Sequence, residues 1–288
     1  MAQIEQSDKG GKKKKGAQNG AYLKNPDFEG FQKLYNGCGG LIAIADIAPE
    51  LPGAEDFIRR ASKLCTVSVA HTDAGYEDTK KAFDAGATHL THLYNAMPGI
   101  HHREPGVIPA AAEKETVRAE LICDGIHVHP ASVRLAFGMF GRNRIVLISD
   151  GLRCTGMPDG AYELGGQTVH LSGGVAKLSD GTIAGAATHL FQSMKNAMAF
   201  GIPEAVAVQA ATFNPACAIG KQDSIGGTLK AALPAWHDVL KPGGVAAFSF
   251  NAAIASVNAF TAADTCASVA FASVFTVFAA SIASSNLA

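Results

Sequence analysis

The stretch TVSVAHTDAGYEDTKKAFDAGATHLTHL, residues 66–93, decides the fold. Its opening, TVSVAH, is strand-like and closes on His71. The residues from Tyr76 to Ala85 carry the amphipathic period of a helix, and Gly86 stops it. THLTHL, residues 88–93, then reads as the next strand. A strand, a helix and a second strand in so short a span predict a βα unit on a parallel sheet.

The same alternation extends both ways. LIAIAD (41–46) is a short apolar run followed by a helical pattern from Gly53 to Leu64. RAELICDG (118–125) is a strand, a helix starts near Pro130, and RIVLISDG (144–151) is the fifth strand. Each strand carries polar residues at its C-terminal end: Asp46, His71, His92, Asp124 with His127, and Asp150. Strand ends that all bear chemistry match the mouth of a (β/α) barrel. A doubly wound sheet would gather its polar groups at one switch point instead. Beyond the fifth strand, the Gly-Gly turns between Gly160 and Leu178 predict a pair of β-hairpins. Helices are expected over residues 188–200 and 203–212, and Asn214-Pro215 starts a short third one.

A chain of 288 residues can bury a full core. Its net charge of −1 gives no basic field for nucleic acid. The six cysteines lack CxxC spacing, and the N-terminus is polar without an apolar leader. A cytoplasmic protein is therefore expected, without a disulfide framework. Residues 1–20 form a polar segment containing the run Lys12 to Lys15, read as a solvated loop, and residues 21–229 form the barrel-like domain. Residues 230–288 form a low-complexity tail. Within it, residues 266–283 carry no charge, but Ala, Ser and Thr dilute the run and no basic flank orients it, so no membrane span is expected.

The chemistry gathers in THLTHLYNAMPGIHHREPG, residues 88–106, which holds four of the ten histidines. Each imidazole costs desolvation unless it is bonded or bound to metal. His71 and His92 would end neighbouring strands, so their rings can converge, and neutral imidazole suits Zn²⁺ or Fe²⁺. Asp150 is a natural general base beside an activated water and can later protonate a leaving amine. His127 could donate to a developing oxyanion, and the planar fork of Arg103 suits a phosphate or carboxylate. These residues point to metal-assisted hydrolysis of an anionic substrate. Strand period sends His89 to the face opposite His92, as scaffold. His101, His102, His170, His189 and His237 lie off the strand-end pattern.

At these residues the chain resembles the N-acetylglucosamine-6-phosphate deacetylases of the amidohydrolase superfamily. The matching words are KKGAQN (14–19), DIAPELPGA (46–54), VAHTDAGY (69–76), the 88–106 segment, ELICDGIHVHP (120–130), LISDGLRCTGMPDGAYELGG (147–166) and DGTIAGAATHL (180–190). The resemblance implies hydrolysis of the acetamide of N-acetylglucosamine 6-phosphate to glucosamine 6-phosphate and acetate. It implies one divalent metal, Zn or Fe, held by His71 and His92, with Asp150 as catalytic acid/base. His127 would contact the substrate and polarise its carbonyl. Asn95, Ala96 and Arg103 match sugar-phosphate contacts, as do Ala17 and the loop Ile183, Ala184, Gly185 and Ala186. The implied partner is a small amino-sugar phosphate, and the implied assembly is a homodimer.

The chain departs from that pattern at both ends. The family carries a HLEGP-type word, whose Glu binds metal, shortly before KKGAQN. Counting back without a gap lands on Gln6, beside Glu5, in MAQIEQSDKGGK. The expected fold is therefore α/β, a partial TIM-type barrel of about five of eight strands, with the family's small β-sandwich largely missing. After IGGTLK the chain reads AALPAWHDVLKPGGVAAFSFN (231–251), which does not resemble the family. A fused, truncated or frame-shifted gene is the expected explanation for both ends. The alternative to a working deacetylase is a catalytically silent remnant of one.

Overall fold

The computed structural model describes residues 14–223. Every helix and strand described falls within Met1–Gly220. Glu5, Gln6, His237, the uncharged run 266–283 and the tail 230–288 lie outside the described residues.

After a 3-10 turn at Gly20–Tyr22 comes helix α1 (Phe28–Gly37). Strands and helices then alternate: β1 (Ile44–Ile47), α2 (Ala54–Ala61), β2 (Thr66–Val69), α3 (Tyr76–Ala85), β3 (His89–Leu90), α4 (Val107–Glu113), β4 (Arg118–Ile122), α5 (Pro130–Phe140) and β5 (Ile145–Ile148). The five strands form one sheet in chain order, each parallel to its neighbours. Asp46 pairs with Ser68, Ser68 with His89, and Glu120 with Val146.

Strand side chains alternate between faces, and here the faces differ in kind. Ala45, Ile47, Val67, Val69, Leu90, Ala119, Leu121, Ile145 and Leu147 belong to the main core, with Phe57 and Ile58 of α2, Phe83 of α3 and Val133 of α5. Burying each larger side chain stabilises the fold by about 1.5–3 kcal/mol. The alternate positions carry Asp46, Ser68, His89 and Glu120. A parallel sheet covered by helices on both faces is apolar throughout. A polar second face belongs to a barrel interior near its mouth.

The helix starts have local causes. The Asp27 carboxylate accepts the Gly30 N–H at 3.0 Å, and α3 opens with Glu77 and Asp78 at its positive end. His129 Nδ1 accepts the Ala131 N–H at 3.1 Å before Pro130, and His189 Nδ1 accepts the Gln192 N–H at 3.2 Å. Both histidines are helix caps.

Beyond β5 the chain forms an antiparallel sheet, β6 (Gly160–Leu164), β7 (Gln167–Ser172) and β8 (Val175–Leu178). The two turns are Gly165-Gly166 and Gly173-Gly174, with φ of 56°, 77°, 56° and 79°. Positive φ at both central positions is what a two-residue hairpin of matching twist requires. Cys154, Val169, Leu171, Ala176 and Ala184 form a small second core. Helices α6 (Leu190–Ala199), α7 (Glu204–Ala211) and α8 (Phe213–Ala218) then pack on β5. No helix among the described residues is long and apolar enough to cross a membrane.

Three elements differ from the sequence reading. The 88–93 strand shrinks to His89–Leu90, because residues 91–97 turn out of the sheet. The helices α1 and α4 had no counterpart in it.

One cation ties the helix layer to the sheet. The Arg144 guanidinium, just before β5, donates to the carbonyls of Ala111, Ala112, Lys114, Val117, Met139 and Phe140 at 2.9–3.4 Å. These carbonyls end α4 and α5 or link α4 to β4, and helix-end carbonyls need such donors. Arg144→Ala should lower unfolding stability by about 3 kcal/mol, since several charge-assisted bonds to half-buried acceptors go at once. Arg144→Lys should recover only part of it, and denaturant titration reads both.

Candidate active site

Three strands leave the sheet in the same way. The second residue beyond β2, β3 and β5 is His71, His92 and Asp150, with φ of 45°, 33° and 50°. These are left-handed conformations that non-glycine residues adopt only under constraint. Tyr94 (75°) and Ala96 (50°) continue the pattern after β3.

The constraints are visible. Glu50, after β1, accepts the Thr72 hydroxyl at 2.5 Å and the Asp73 N–H at 2.7 Å, which pins the turn after His71. The Thr72 N–H donates to the Ala96 carbonyl at 3.1 Å, joining that turn to the one after β3. The His92 carbonyl accepts the Asn95 N–H at 2.9 Å and the Asn95 side-chain amide at 3.2 Å. The Asp150 carbonyl accepts the Ala186 N–H at 2.8 Å. Gly185 packs so close to that carbonyl that a Cβ would collide with it. Gly16, at φ 56°, lies over the His71 ring, where a Cβ would meet Cε1 at 3.3 Å.

The two imidazoles converge, with Nε2 of His71 and Nε2 of His92 2.8 Å apart. Burial, then the nearby His92 ring, pushes the His71 pKa down to about 3. His71 is therefore neutral at physiological pH, the form a metal ligand needs. This pair fits two ligands of a zinc or iron site. No group of three or more His, Cys, Asp or Glu side chains is arranged to hold a metal ion among the described residues.

Beneath the pair lies a buried polar floor. Glu120 of β4 meets His89 Nε2 at 3.2 Å with one oxygen and accepts the His92 N–H at 3.4 Å with the other. Asp46 of β1 accepts the Thr91 hydroxyl at 2.9 Å, and the Thr91 and Ser68 hydroxyls lie 2.6 Å apart. Burial, reinforced by the Glu120 charge, raises the Asp46 pKa from 3.8 to about 6. His89 lines the same cavity as His92, contrary to the strand-period reading. Strand period fails there because β3 ends at Leu90. The Glu120 contribution went unread, although a carboxylate inside the otherwise apolar strand AELI was a signal.

These groups line one cavity of about 1380 Å³. Ala17, His71, His92, Asn95, Ala96, His127, Asp150, Ile183, Ala184 and Gly185 all line it. Ala186 does not, but it holds the Asp150 carbonyl. Ala17 is tethered by its carbonyl, which accepts from the Gln167 amide at 2.9 Å. Lys14, expected in a solvated run, instead adds a cation to the lining. Arg103 stands apart, on an exposed loop with its guanidinium 2.7 Å from His102 Nε2.

Residues 50–230 match the amidohydrolase family. The chain belongs to this family. Among its relatives, the N-acetylglucosamine-6-phosphate deacetylase of Bacillus subtilis (strain 168) is 45% identical over 174 residues, 60% of this chain and 44% of that protein. The N-acetylgalactosamine-6-phosphate deacetylase of Escherichia coli O157:H7 is 39% identical over 191 residues, 66% of this chain and 50% of that one. The solved D267A mutant of N-acetyl-D-glucosamine-6-phosphate deacetylase from Mycobacterium smegmatis, in complex with N-acetyl-D-glucosamine-6-phosphate, superposes with a TM-score of 0.70 at 37% identity. That match covers 72% of this amidohydrolase and 56% of the solved chain. The chain spans about half the length of the curated relatives it matches.

The Asp46 shift gives a pH test on metal-free protein. An acid with a raised folded pKa holds its proton more tightly folded than unfolded. Folding stability therefore falls as pH climbs from about 4 to about 6, by roughly 3 kcal/mol in total. Asp46→Asn should remove that loss and gain on the parent across this window, as read by denaturant midpoints at each pH. Parallel curves for the two chains would refute it.

Proposed function

We propose that this amidohydrolase hydrolyses the acetamide of N-acetylglucosamine 6-phosphate, releasing acetate and glucosamine 6-phosphate. The observation that carries the reading is the convergence of His71 and His92 at the mouth of the cavity that Asp150 and His127 also line. The relatives' names support the substrate class.

In this reading His71 and His92 hold a divalent zinc or iron ion. Such an ion supplies Lewis acidity toward the attacking water and the amide carbonyl. Asp150 takes a proton from the water as its oxygen attacks the carbonyl carbon. His127 donates from Nε2 to the oxygen on which charge develops. Asp150 then returns its proton to the nitrogen, the C–N bond breaks, and acetate and a free amine leave. Asn95, Ala96, Ala17 and the 183–186 segment bound the space for the sugar phosphate. Arg103, from its exposed loop, supplies a phosphate contact. The working unit is a homodimer in the cytoplasm.

The second reading, a silent remnant, draws on the two-imidazole pair that no third metal-binding side chain joins among the described residues. Acetate release by the purified, metal-supplemented chain separates the two. The C4 epimer, N-acetylgalactosamine 6-phosphate, is the companion substrate, since one relative bears its name. Turnover with about one bound metal per chain supports the deacetylase. A folded chain that neither retains metal nor releases acetate from either sugar is the silent remnant.

Two substitutions refine this. Asp150→Asn should cut turnover by about 10²–10⁴-fold, the worth of a positioned acid/base, and leave metal content unchanged. His92→Ala should abolish retention of metal through gel filtration. Full metal retention by His92→Ala would remove that residue from the ligand set.

A further inference from the structure

Asp124 is the second residue beyond β4, the offset that His71, His92 and Asp150 occupy beyond their own strands. Its carboxylate makes three bonds within one turn. Oδ1 accepts the N–H groups of Ile126 and His127, both at 2.8 Å. Oδ2 accepts the Nδ1–H of His127 at 2.6 Å. The Asp124 side chain is 1% exposed and that of His127 is 9% exposed. Across the ring, His127 Nε2 lies 2.8 Å from the carbonyl oxygen of Ala184.

A carbonyl oxygen only accepts, and so does an ionised carboxylate. A neutral imidazole has one N–H and one lone pair, so it can satisfy only one of two flanking acceptors. A ring set between two acceptors at these distances carries a proton on each nitrogen. The groups that face it agree. Burial disfavours the charged ring, but Asp124 from its own turn, the Ala184 carbonyl from the segment after β8, and the Asp150 carboxylate beyond β5 outweigh it, and the ring's pKa rises above its ordinary value. No cationic side chain hydrogen-bonds to the ring among the described residues.

We infer that Asp124 is a positioning residue that keeps His127 an imidazolium, with its Nε2–H aimed into the cavity at the point where the Ala184 carbonyl now accepts it. The deacetylase reading enters only in naming the substrate's carbonyl oxygen as the acceptor that replaces Ala184. The protonation of the ring is a property of this chain alone. A charged donor bonds a developing oxyanion more strongly than a neutral one. It also serves only while it keeps its second proton, so acetate release should fall as pH rises through the raised His127 pKa.

The test is a ¹⁵N NMR titration of the imidazole nitrogens in the full chain. The parent should show His127 doubly protonated at neutral pH and losing one proton only on the alkaline side. Asp124→Asn keeps an oxygen for the two backbone N–H groups but offers the ring no anion. Its His127 transition should move to lower pH, and the alkaline limb of acetate release should move with it, with turnover down about 10–100-fold. If that variant does not fold, Asp124→Ser, which keeps an acceptor for the turn alone, takes its place. A singly protonated His127 in the parent at neutral pH overturns the inference, and so does an unmoved transition in either variant. A doubly protonated ring in a chain that releases no acetate at any pH refutes the deacetylase reading and supports the Asp124–His127 pair.

Discussion

Everything at the site depends on a left-handed backbone at the ends of three parallel strands. A strand that kept its β conformation would carry its next side chains onward, alternating between faces. Reversal of φ at His71, His92 and Asp150 turns the chain out of the sheet instead. For residues with a Cβ this costs about 1–2 kcal/mol at each position. Such conformations persist only where the surroundings over-determine them. Here the Glu50 carboxylate, the Thr72 to Ala96 bond, the Asn95 amide and the Ala186 N–H supply that restraint. Most of these groups come from a different strand's loop than the residue they hold. The Thr72 to Ala96 bond thus joins the turns after β2 and β3, while Glu50 reaches in from the loop after β1 and Ala186 from the segment after β8.

The floor beneath the ring obeys a different constraint. Asp46, Ser68, His89 and Glu120 occupy the inner face of a sheet whose outer face is fully apolar. Buried polar groups are costly unless bonded, and these bond mainly to each other and to Thr91. Burial, reinforced by the Glu120 charge, keeps the proton on Asp46 to about pH 6, and Glu120 braces the His92 backbone.

The βα alternation was legible because periodicity and Gly stops report it directly, as residues 66–93 show. The hairpins were legible from Gly165-Gly166 and Gly173-Gly174, since only positive φ at both positions suits those turns. The gathering of His71, His92, His127 and Asp150 on one cavity followed from their places at strand ends. The left-handed residues were not legible, because His, Asp and Ala carry no glycine-like signal for positive φ. The same blindness misplaced His89, since its strand stops after two residues. Helix α1 was missed although Asp27 caps it, and α4 because its short VIPAAAE core gives no clear period. Long-range braces such as Glu50 to Thr72 leave no local trace in sequence at all.

The imidazole pair and the Asp124–His127 pair show one fold using burial in opposite senses. His71 is buried beside another imidazole, so desolvation prevails and the ring stays neutral far below physiological pH. A metal ion binding there would displace no proton from His71 near neutral pH. His127 is buried against a carboxylate and a carbonyl, whose bonds outweigh desolvation and raise the ring's pKa. A ligand nitrogen must offer a lone pair, and an oxyanion donor must carry an N–H. The difference between the two roles reduces to which atoms the strand-end turns set against each ring: imidazole nitrogen in one case, oxygen acceptors in the other.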